Sequence, residues 1–321
     1  MASAPRVLVV RFSALGDVIL TTPLLRALKT AWPDARITFV TKYGAAPVLA
    51  QSPRVDRVVA LEAGAPLRSV TGLLRDESWT HRLDLHGSVR SRVLRAWLGG
   101  RWRTWRRHRI ARRMLIAFGA ESYGRLPPVA ERYFETVADL GIRPDGGPPE
   151  VFTHADDRAR ARALAPEEYV VLAPGASRPT KRWPPAHWRD LAARLRAAGL
   201  GLVATGTAEE ERFLTADGLV PAFGEGLGVA AALLEGARCA VTNDSGLMHL
   251  ATAVGTPVVA LFGPTVRAFG FTPYRAPGVV VERALACRPC APYGGPRCPL
   301  GHHRCMIDIA PAAVARAVEA A

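Results

Sequence analysis

Two series of short apolar runs, each alternating with longer amphipathic stretches, constrain the fold of this chain more than any other feature. Short apolar runs bounded by turn residues are typical of buried parallel strands, and stretches with a 3.6-residue apolar period are typical of helices. The alternation predicts repeated β–α–β units, and therefore an α/β fold with parallel sheets. A Pro- and Gly-rich stretch, Gly141–Pro149, separates the two series and predicts a domain boundary.

The predicted elements fall into two groups of similar size. In the first series the strands are Arg6–Arg11, Arg36–Thr41, Arg57–Leu61 and His81–Leu85, and the helices are Asp17–Ala31, Gly44–Gln51 and Arg68–Arg75. In the second series the strands are Tyr169–Ala173, Leu200–Thr205, Cys239–Thr242 and Pro257–Phe262, and the helices are Pro185–Ala198, Glu209–Thr215, Val229–Glu235 and Gly246–Val254. We therefore expect two domains, residues 1–150 and 151–321, each with its own core.

Composition places the chain among globular proteins. Of its 321 residues 49% are hydrophobic and 22% are charged, which excludes a disordered chain. No apolar run approaches the roughly 20 residues that a membrane-spanning helix needs. The apolar run Arg6–Val10 is too short for a signal peptide, and no cleavage site follows it. We therefore expect a cytoplasmic protein.

Positive charge is concentrated in residues 90–113, which we call the arginine-rich segment. The net charge of the chain is +14, and this segment holds ten arginines and no acidic residue. The arginines are Arg90, Arg92, Arg95, Arg101, Arg103, Arg106, Arg107, Arg109, Arg112 and Arg113, with Trp97, Trp102 and Trp105 among them. The charge alone fits a phosphorylated lipid surface, a nucleic acid or an ordinary solvated helix face. The tryptophans favour a membrane surface, because indole rings prefer the headgroup layer.

Four of the five cysteines crowd into one C-terminal stretch. They are Cys287, Cys290, Cys298 and Cys305, and His302 and His303 lie between the last two. The Cys-x-x-Cys spacing is that of half a structural zinc site, and a cytoplasmic location argues against disulfides. The last two cysteines are too widely spaced for a matching second half, so zinc and free thiols both stay open. Cys239, in a predicted strand, is expected to be a buried small side chain.

The strand-to-helix loops are the candidate site, because ligands of open parallel sheets bind beyond the carboxyl ends of the strands. The loop Asn243–Gly246 leads from a predicted strand directly into a predicted helix. Unpaired backbone N–H groups and the positive end of the helix dipole favour an anion there, such as a diphosphate. His249 lies four residues after Ser245 and therefore on the same helix face. The alternative is that Asp244 or Ser245 only caps the helix.

Two other loops of the second series carry compatible groups. Pro174–Pro184 combines small residues with a hydroxyl, Ser177, and a cation, Lys181, a mixture that suits a nucleotide diphosphate. Its spacing is not that of a Walker loop, which argues against ATP hydrolysis. In Thr205–Glu211, Glu209 can hold the paired hydroxyls of a ribose or can simply offset the helix dipole.

The first series offers one carboxylate in a similar place. Asp17 follows the first strand at a predicted helix start, and Gly16 lets the backbone come close to a ligand. A carboxylate there can accept a proton from a sugar hydroxyl, or it can simply cap the helix. No G-x-G-x-x-G follows this strand, which argues against a nicotinamide-binding Rossmann domain.

Taken in order, these loops resemble glycosyltransferase family 9, the ADP-heptose:lipopolysaccharide heptosyltransferases. The resemblance runs over nearly the whole chain and is carried by Arg6–Asp17 with Thr22 and Pro23, Ala173–Ser177 with Lys181–Pro184, Thr242–His249 and Phe262–Thr265. The stretch Cys287–Met306 is similar to the branch that adds the second heptose in particular.

The resemblance implies a GT-B fold, two Rossmann-like domains with parallel sheets facing across a cleft and a last helix that crosses back to the first domain. It implies an inverting transfer of heptose that needs no metal cofactor. It also implies a set of roles: Asp17 as general base, Ser177 and Lys181 on the diphosphate, Glu209 on the ribose, Asp244 on the donor heptose, and the Ser245 and Gly246 amides with His249 completing the diphosphate and sugar site. Lysine and helix-end amides suit a leaving ADP, which gains negative charge.

The implied acceptor is the lipid-linked inner core of lipopolysaccharide, at the inner face of the cytoplasmic membrane. We expect the arginine-rich segment to dock it, through Arg90, Arg92, Arg95, Arg101 and Arg103. First-heptose enzymes carry His-Thr-Leu-Pro where this chain has Leu20–Pro23, and two threonines where it has Ala176-Ser177. These departures leave the acceptor sugar open.

Two alternatives remain. One is a GT-B transferase or epimerase that acts on another nucleotide sugar. The other is a basic nucleic-acid-binding protein, although no recognisable nucleic-acid-binding module is present.

Overall fold

The structure is a computed structural model that describes residues 4–106, 108–118 and 127–321, without the side chain of Arg109. By their internal contacts the described residues form two units, Met1–His108 with Val129–Phe152, and Arg109–Pro128 with Thr153–Ala321. The single division expected after residue 150 differs from this arrangement in two ways. The chain passes to the second unit after Phe152, and it also contributes Arg109–Pro128 to that unit from within the first half.

Each unit is built on one parallel sheet. The strands are β1 (Arg6–Val10), β2 (Arg36–Lys42), β3 (Arg57–Leu61), β4 (His81–Asp84), β5 (Arg103–Thr104), β6 (Tyr169–Ala173), β7 (Gly201–Gly206), β8 (Leu219–Phe223), β9 (Cys239–Asn243), β10 (Val258–Phe262) and β11 (Gly278–Glu282). The first sheet has the order β3-β2-β1-β4-β5 and the second β11-β10-β9-β6-β7-β8. All these pairings are parallel. The predicted α/β class with two parallel sheets is confirmed.

Helices connect most of the strands. They are α1 (Leu15–Ile19), α2 (Thr22–Ala31), α3 (Pro47–Ala50), α4 (Arg68–Gly72), α5 (Val89–Leu98), α6 (Arg109–Phe118), α7 (Val129–Arg132), α8 (Ala155–Leu164), α9 (Pro185–Ala197), α10 (Leu227–Glu235), α11 (Gly246–Ala253), α12 (Arg304–Ile307) and α13 (Pro311–Glu319). Among the described residues, none of them has the length and apolarity to cross a bilayer.

The central strands form the cores because they are apolar on both faces. Residues 7–10 of β1 and every residue of β6, β9 and β10 are buried. Parallel sheets carry helices on both faces, which is why their strands read as unbroken apolar runs. These runs placed the central strands correctly in the sequence analysis, to within one residue at each end.

One predicted helix, Asp17–Ala31, is divided in two. α1 ends at Ile19 and α2 begins at Thr22, with Pro23 in its first turn. Proline has no N–H to donate and is favoured at a helix start, so it ends one helix and begins the next. The break keeps Asp17 on the short helix α1, directly after β1.

The sequence analysis predicted the edge strand β3 but missed three other edge strands: β5 in the first sheet, and β8 and β11 in the second. β8 and β11 are the two outer strands of the second sheet. β8 contains Pro221, which is tolerated at an edge but breaks the apolar pattern by which central strands are recognised. β11 is only partly buried, so its apolar pattern is weaker as well.

The last helix packs within the second unit. Val314 and Val318 of α13 are fully buried in a cluster with Leu191 and Leu195 of α9. This apolar face is satisfied inside its own unit. It is α6, from the first half of the chain, that joins the other unit, where Leu115 packs against Phe269.

Candidate functional site

The loop after β9 carries the first candidate group of the second unit. Asp244 follows β9 directly, Ser245 is the N-cap of α11, and Gly246 is its first residue. The Ser245 hydroxyl oxygen is buried and has no hydrogen-bond partner among the described residues. It therefore does not cap α11, and the N–H groups of the first turn have no side-chain cap. This is the arrangement that favours an anion at a helix N-terminus.

Asp244 is nearly buried and is held by a cation and a hydroxyl. Its Oδ2 atom lies 2.6 Å from Lys181 Nζ and accepts a 2.6 Å hydrogen bond from Thr265 Oγ1. Lys181 Nζ also donates to the Asp244 carbonyl oxygen at 3.3 Å. The structure therefore brings together Lys181 and Asp244, two residues assigned to the same site from separate loops. Thr265 was not assigned from the sequence, although it lies in a stretch that carried the resemblance.

Asn243 holds the Lys181 loop in place. Its Nδ2 donates to the Pro174 carbonyl oxygen at 2.7 Å, and its Oδ1 accepts from the Trp183 backbone N–H at 3.1 Å. Asn243 is fully buried. One amide thus joins both ends of the loop after β6 to the end of β9, and this amide was not singled out by sequence reasoning.

The remaining assigned residues of this unit lie nearby with different exposure. Ser177 and Glu209 are exposed, whereas His249 is buried in α11. A backbone N–H and the Thr207 hydroxyl lower the pKa of the Glu209 carboxyl, so it is ionised at neutral pH. Its neighbour Glu210 is the carboxylate that covers Gly175, since a Cβ on that glycine would lie 2.0 Å from Glu210 Oε1. Glu210 was missed because neighbouring glutamates cannot be told apart by sequence pattern alone.

In the first unit Asp17 lies in the first turn of α1. Its Oδ2 accepts from the Ala14 backbone N–H at 3.1 Å, so it closes the helix start as the capping alternative requires. The same oxygen lies 2.6 Å from Arg11 Nη2, and Oδ1 lies 3.4 Å from the Tyr133 hydroxyl. A carboxylate that only capped α1 would need neither of these contacts.

Arg11 is the buried centre of this site. Only 4% of its side chain is exposed, and its Nη1 donates to the Leu85 carbonyl oxygen at 2.5 Å. The guanidinium lies over the rings of Trp105 and Tyr133, at 5.3 and 5.6 Å. Burial raises the pKa of Tyr133, so its hydroxyl stays protonated and can donate. Sequence reasoning missed Arg11 as a site residue.

The arginine-rich segment is only partly available to a ligand. Arg90, Arg92, Arg101, Arg106 and Arg113 are exposed. Arg95 pairs with Asp84 at 3.6 Å, and Arg103 pairs with Asp139 at 2.9 Å, which lowers the pKa of the Asp139 carboxyl. Arg112 is buried over the rings of Phe269, Phe271 and Tyr293. Arg107 and the Arg109 side chain lie outside the described residues.

The tryptophans of the segment also differ in exposure. Trp97 is 45% exposed, whereas Trp105, grouped with it in the sequence analysis, is only 5% exposed. Trp105 is buried because its ring packs on Tyr133, at 5.1 Å between ring centroids, beneath Arg11. Trp102 is partly buried and donates from Nε1 to the Gly99 carbonyl oxygen at 2.9 Å.

The cysteines do not form a recognisable metal site. Among the residues that the structure describes, no three His, Cys, Asp or Glu side chains are grouped so as to hold a metal ion. Cys287 Sγ lies 4.0 Å from His302 Nε2. Burial raises the pKa of the Cys305 thiol to about 11, and Cys239 is buried as expected. Zinc binding by the cysteine cluster stays a prediction.

The model of glycosyltransferase family 9 (heptosyltransferase) matches residues 67–296. The chain belongs to this family. It is a glycosyltransferase with two Rossmann-like domains.

The relatives of this chain include heptosyltransferases of types 1 and 2. The chain is 30% identical over 317 residues to lipopolysaccharide heptosyltransferase 1 of Pseudomonas aeruginosa, covering 89% of this chain and 86% of the relative. It is 27% identical over 341 residues to lipopolysaccharide heptosyltransferase 2 of Escherichia coli, covering 95% of each. The chain is therefore similar to both types of heptosyltransferase.

Solved structures confirm the architecture. The structure of Escherichia coli ADP-heptose lipopolysaccharide heptosyltransferase II superposes with a TM-score of 0.76 at 26% identity, covering 98% of both chains. A family 9 glycosyltransferase from Veillonella parvula superposes with a TM-score of 0.74 at 23% identity, covering 87% of this chain and 86% of that one. The GT-B fold that the resemblance implied is therefore shown.

Proposed function

We propose that this enzyme transfers heptose from ADP-heptose to the lipid-linked inner core of lipopolysaccharide, with inversion at the anomeric carbon. The observation that carries the proposal is the Lys181–Asp244 pair at the N-terminus of α11. It provides a cation, a carboxylate and uncapped backbone N–H groups within one small region of the second unit. A diphosphate-linked sugar requires these three kinds of group.

In this proposal the donor binds to the second unit. Lys181 and the amides of Ser245 and Gly246 receive the diphosphate, and His249 completes the site. As the bond from the anomeric carbon to the phosphate oxygen breaks, negative charge grows on the departing ADP. Positive charge already fixed in place stabilises that change without further reorganisation. Asp244 then accepts hydrogen bonds from heptose hydroxyls, and Thr265 keeps its carboxylate aligned.

The nucleoside contacts are assigned by exposure and charge. Glu209 is ionised and exposed at the end of β7, where it can accept hydrogen bonds from both ribose hydroxyls. The Glu210 carboxylate lies against Gly175 in the Lys181 loop, and it can accept hydrogen bonds from the same ribose hydroxyls. Ser177 donates to the diphosphate from the exposed part of the loop.

Asp17 acts as the general base in this proposal. The acceptor hydroxyl attacks the anomeric carbon, a new C–O bond forms, ADP leaves, and the hydroxyl proton passes to Asp17. Arg11 Nη2 lies 2.6 Å from Oδ2 of the carboxylate, and the Tyr133 hydroxyl lies 3.4 Å from Oδ1. A carboxylate held in a single orientation loses little entropy when it takes the proton.

We also propose that the enzyme lies on the inner face of the cytoplasmic membrane. On α5 the apolar residues Val89, Val93 and Trp97 follow at intervals of four, and all are exposed. They form one outward stripe, with the exposed Arg90 and Arg92 on either side of it. Apolar side chains flanked by arginines suit a surface of anionic lipid.

Titration with nucleotides tests the donor assignment. ADP, UDP and GDP are added separately to the purified protein, and binding is measured by calorimetry. We expect ADP to bind at least about tenfold more tightly than UDP or GDP, a difference of about 1.4 kcal/mol. Tighter binding of UDP or GDP would replace ADP-heptose by another nucleotide sugar.

Vesicle flotation at low salt tests the membrane assignment. Replacing four of the exposed arginines, Arg90, Arg92, Arg101 and Arg106, by glutamine should release the protein from anionic vesicles, because each arginine near the surface contributes about 1 kcal/mol. Leu73→Ser, which changes an apolar residue that is 54% exposed elsewhere on the first unit, is the control. Unchanged flotation of the arginine variant would refute this role. Salt-dependent binding to RNA without vesicle binding would favour the nucleic-acid alternative.

A further inference from the structure

The stretch Cys287–Cys305, which we call the cysteine-rich segment, contacts the loops that carry both members of the Lys181–Asp244 pair. It is the most distinctive part of the sequence that the proposed reaction does not use. Two sets of contacts connect it to the site. One runs from Arg288 to the loop after β10, and the other from Gly294, Gly295 and His303 to the loop after β6.

Arg288 is a buried guanidinium that donates to three carbonyls of one loop and, through Nη1, to the Arg283 carbonyl oxygen. Its side chain is 5% exposed. Nη2 donates to the Thr265 carbonyl oxygen at 2.8 Å and to that of Phe262 at 3.3 Å, and Nε donates to that of Gly263. The charge is balanced by Glu282, whose Oε2 lies 2.7 Å from Nη2. Arg288 thus donates to three carbonyls of the turn that carries the Thr265 side chain.

The second set of contacts reaches the residue before Lys181. The Thr180 backbone N–H donates to the Gly295 carbonyl oxygen at 3.3 Å, and the Gly295 N–H donates to Thr180 Oγ1 at 2.7 Å. His303 Nε2 lies 2.8 Å from the Thr180 carbonyl oxygen. Gly294 packs so closely that a Cβ there would lie 3.1 Å from Lys181 Cγ.

These contacts converge on the two partners of one ion pair. Thr265, whose carbonyl Arg288 holds, donates its hydroxyl to Asp244. Thr180 directly precedes Lys181, and both its backbone N–H and its hydroxyl oxygen are hydrogen-bonded to Gly295. We propose that the cysteine-rich segment fixes the spacing of Lys181 and Asp244 for the donor diphosphate, with Arg288 as its principal positioning residue. The inference rests on the proposed function only for the identity of the ligand.

Arg267 provides a matched control within the same region. It shares Glu282 with Arg288, at 2.6 Å, and it donates to the Val280 carbonyl oxygen at 2.8 Å. Within the part of the chain that the structure describes, its side chain makes no hydrogen bond to the loop from Phe262 to Thr265. A residue that only stabilised β11 and its surroundings would therefore behave like Arg267, whereas a positioning residue would not.

The experiment compares Arg288→Ala, Arg288→Lys and Arg267→Ala by calorimetric titration with ADP. Arg288→Ala should weaken ADP binding about tenfold, and Arg288→Lys should weaken it nearly as much, because an ammonium cannot reach three carbonyls in fixed directions. Arg267→Ala should bind ADP as the parent protein does. Equal losses in the Arg267 and Arg288 variants would overturn the inference, and so would normal ADP binding by Arg288→Lys.

A double-mutant cycle tests the route through Thr265. Thr265→Val removes the hydroxyl that reaches Asp244 and should also weaken ADP binding, whereas Thr265→Ser should retain it. If Arg288 acts through Thr265, the two changes should not add. The double variant Arg288→Lys/Thr265→Val should then bind ADP as tightly as the single variant with the lower ADP affinity. Additive losses would show that Arg288 does not act through this hydroxyl.

Hydrogen exchange separates a failure of this inference from a failure of the proposed function. In the protein without nucleotide, Arg288→Lys should speed amide exchange in residues 263–266 and 244–248, and Arg267→Ala should not. This result supports the positioning role even if ADP proves to be the wrong nucleotide. Unchanged exchange in Arg288→Lys would contradict it whatever nucleotide binds.

Discussion

Both units place a carboxylate just after a central strand and pair it with a cation of the same unit, but the two cations differ. Asp17 Oδ2 lies 2.6 Å from Arg11 Nη2, and Asp244 Oδ2 lies 2.6 Å from Lys181 Nζ. Arg11 is also held by the Leu85 carbonyl and two aromatic rings. Lys181 ends in a compact ammonium on a flexible chain, and its side chain is 13% exposed.

The difference between the two cations indicates that they have different roles. A guanidinium fixed on several sides orients the carboxylate beside it and does not move, which suits a base that must be aimed at one hydroxyl. An ammonium has three donors and a rotatable stem, so it can turn from Asp244 towards a diphosphate without moving the loop. We therefore assign proton transfer to the first site and charge stabilisation to the second.

The largest effect is expected at the aimed carboxylate. Asp17→Asn keeps the shape of the side chain but cannot take the proton, so turnover should fall about a hundredfold or more while ADP binding stays near normal. Steady-state kinetics and ADP titration measure the two quantities separately. Asp34→Asn, an exposed change on the same unit, is the control. Turnover that survives in Asp17→Asn would make Asp17 a helix-closing residue only.

The second effect separates the two sites by what they lose. Lys181→Met removes the cation and leaves Asp244 nearly buried without it, so ADP affinity should fall by about tenfold to thirtyfold. Asp17→Asn should show the opposite pattern, with turnover lost and ADP affinity kept. The contrast would break down if both variants lost ADP affinity equally.

Exchanging the cation types tests the comparison itself. Arg11→Lys cannot keep both the Leu85 carbonyl and Asp17, so turnover should fall about tenfold with unchanged ADP affinity. Lys181→Arg keeps the charge, so it should retain more ADP affinity than Lys181→Met. Kinetics and calorimetry on the two variants provide the readings. Full turnover in Arg11→Lys would mean that Asp17 needs charge beside it but no fixed orientation.

The smallest effect is expected at Tyr133. Its hydroxyl lies 3.4 Å from Asp17 Oδ1, which is long for a hydrogen bond, so Tyr133→Phe should lower turnover only about threefold. Because burial raises the pKa of Tyr133, the hydroxyl stays protonated at neutral pH. The pH profiles of the parent and Tyr133→Phe should therefore have the same shape. If one limb of the pH profile were absent in Tyr133→Phe, that limb would report the titration of Tyr133, contrary to this expectation.

The sequence predicted the central strands because each is an unbroken apolar run between turn residues. Strands that are only partly buried, or that contain a proline, lack such an unbroken run, and the prediction missed them. β8 with Pro221 is an example. The prediction also missed α6 as a member of the second unit, because the apolar period of a helix does not reveal which core will cover it. Leu115 packs on Phe269 from far along the chain.

Sequence reasoning identified Lys181 and Asp244 but not the residues that hold them in place. Lys181 and Asp244 lie in loops of recognisable composition, and in the structure their side chains form an ion pair. Arg11, Thr265 and Arg288 act through contacts with residues that are distant in sequence or with backbone carbonyls. Neither spacing nor residue type marks such contacts, so they were found only in the folded chain.

The central claim is that the two carboxylate sites serve one transfer of heptose to a lipid-linked core sugar. The most direct measurement incubates the purified protein with ADP-heptose and a series of truncated core acceptors, and follows both ADP release and the mass of the acceptor. The account predicts that one truncated core gains a single heptose for each ADP released, with inverted anomeric configuration. Release of ADP without glycosylated product, or transfer only from a different nucleotide sugar, would contradict it.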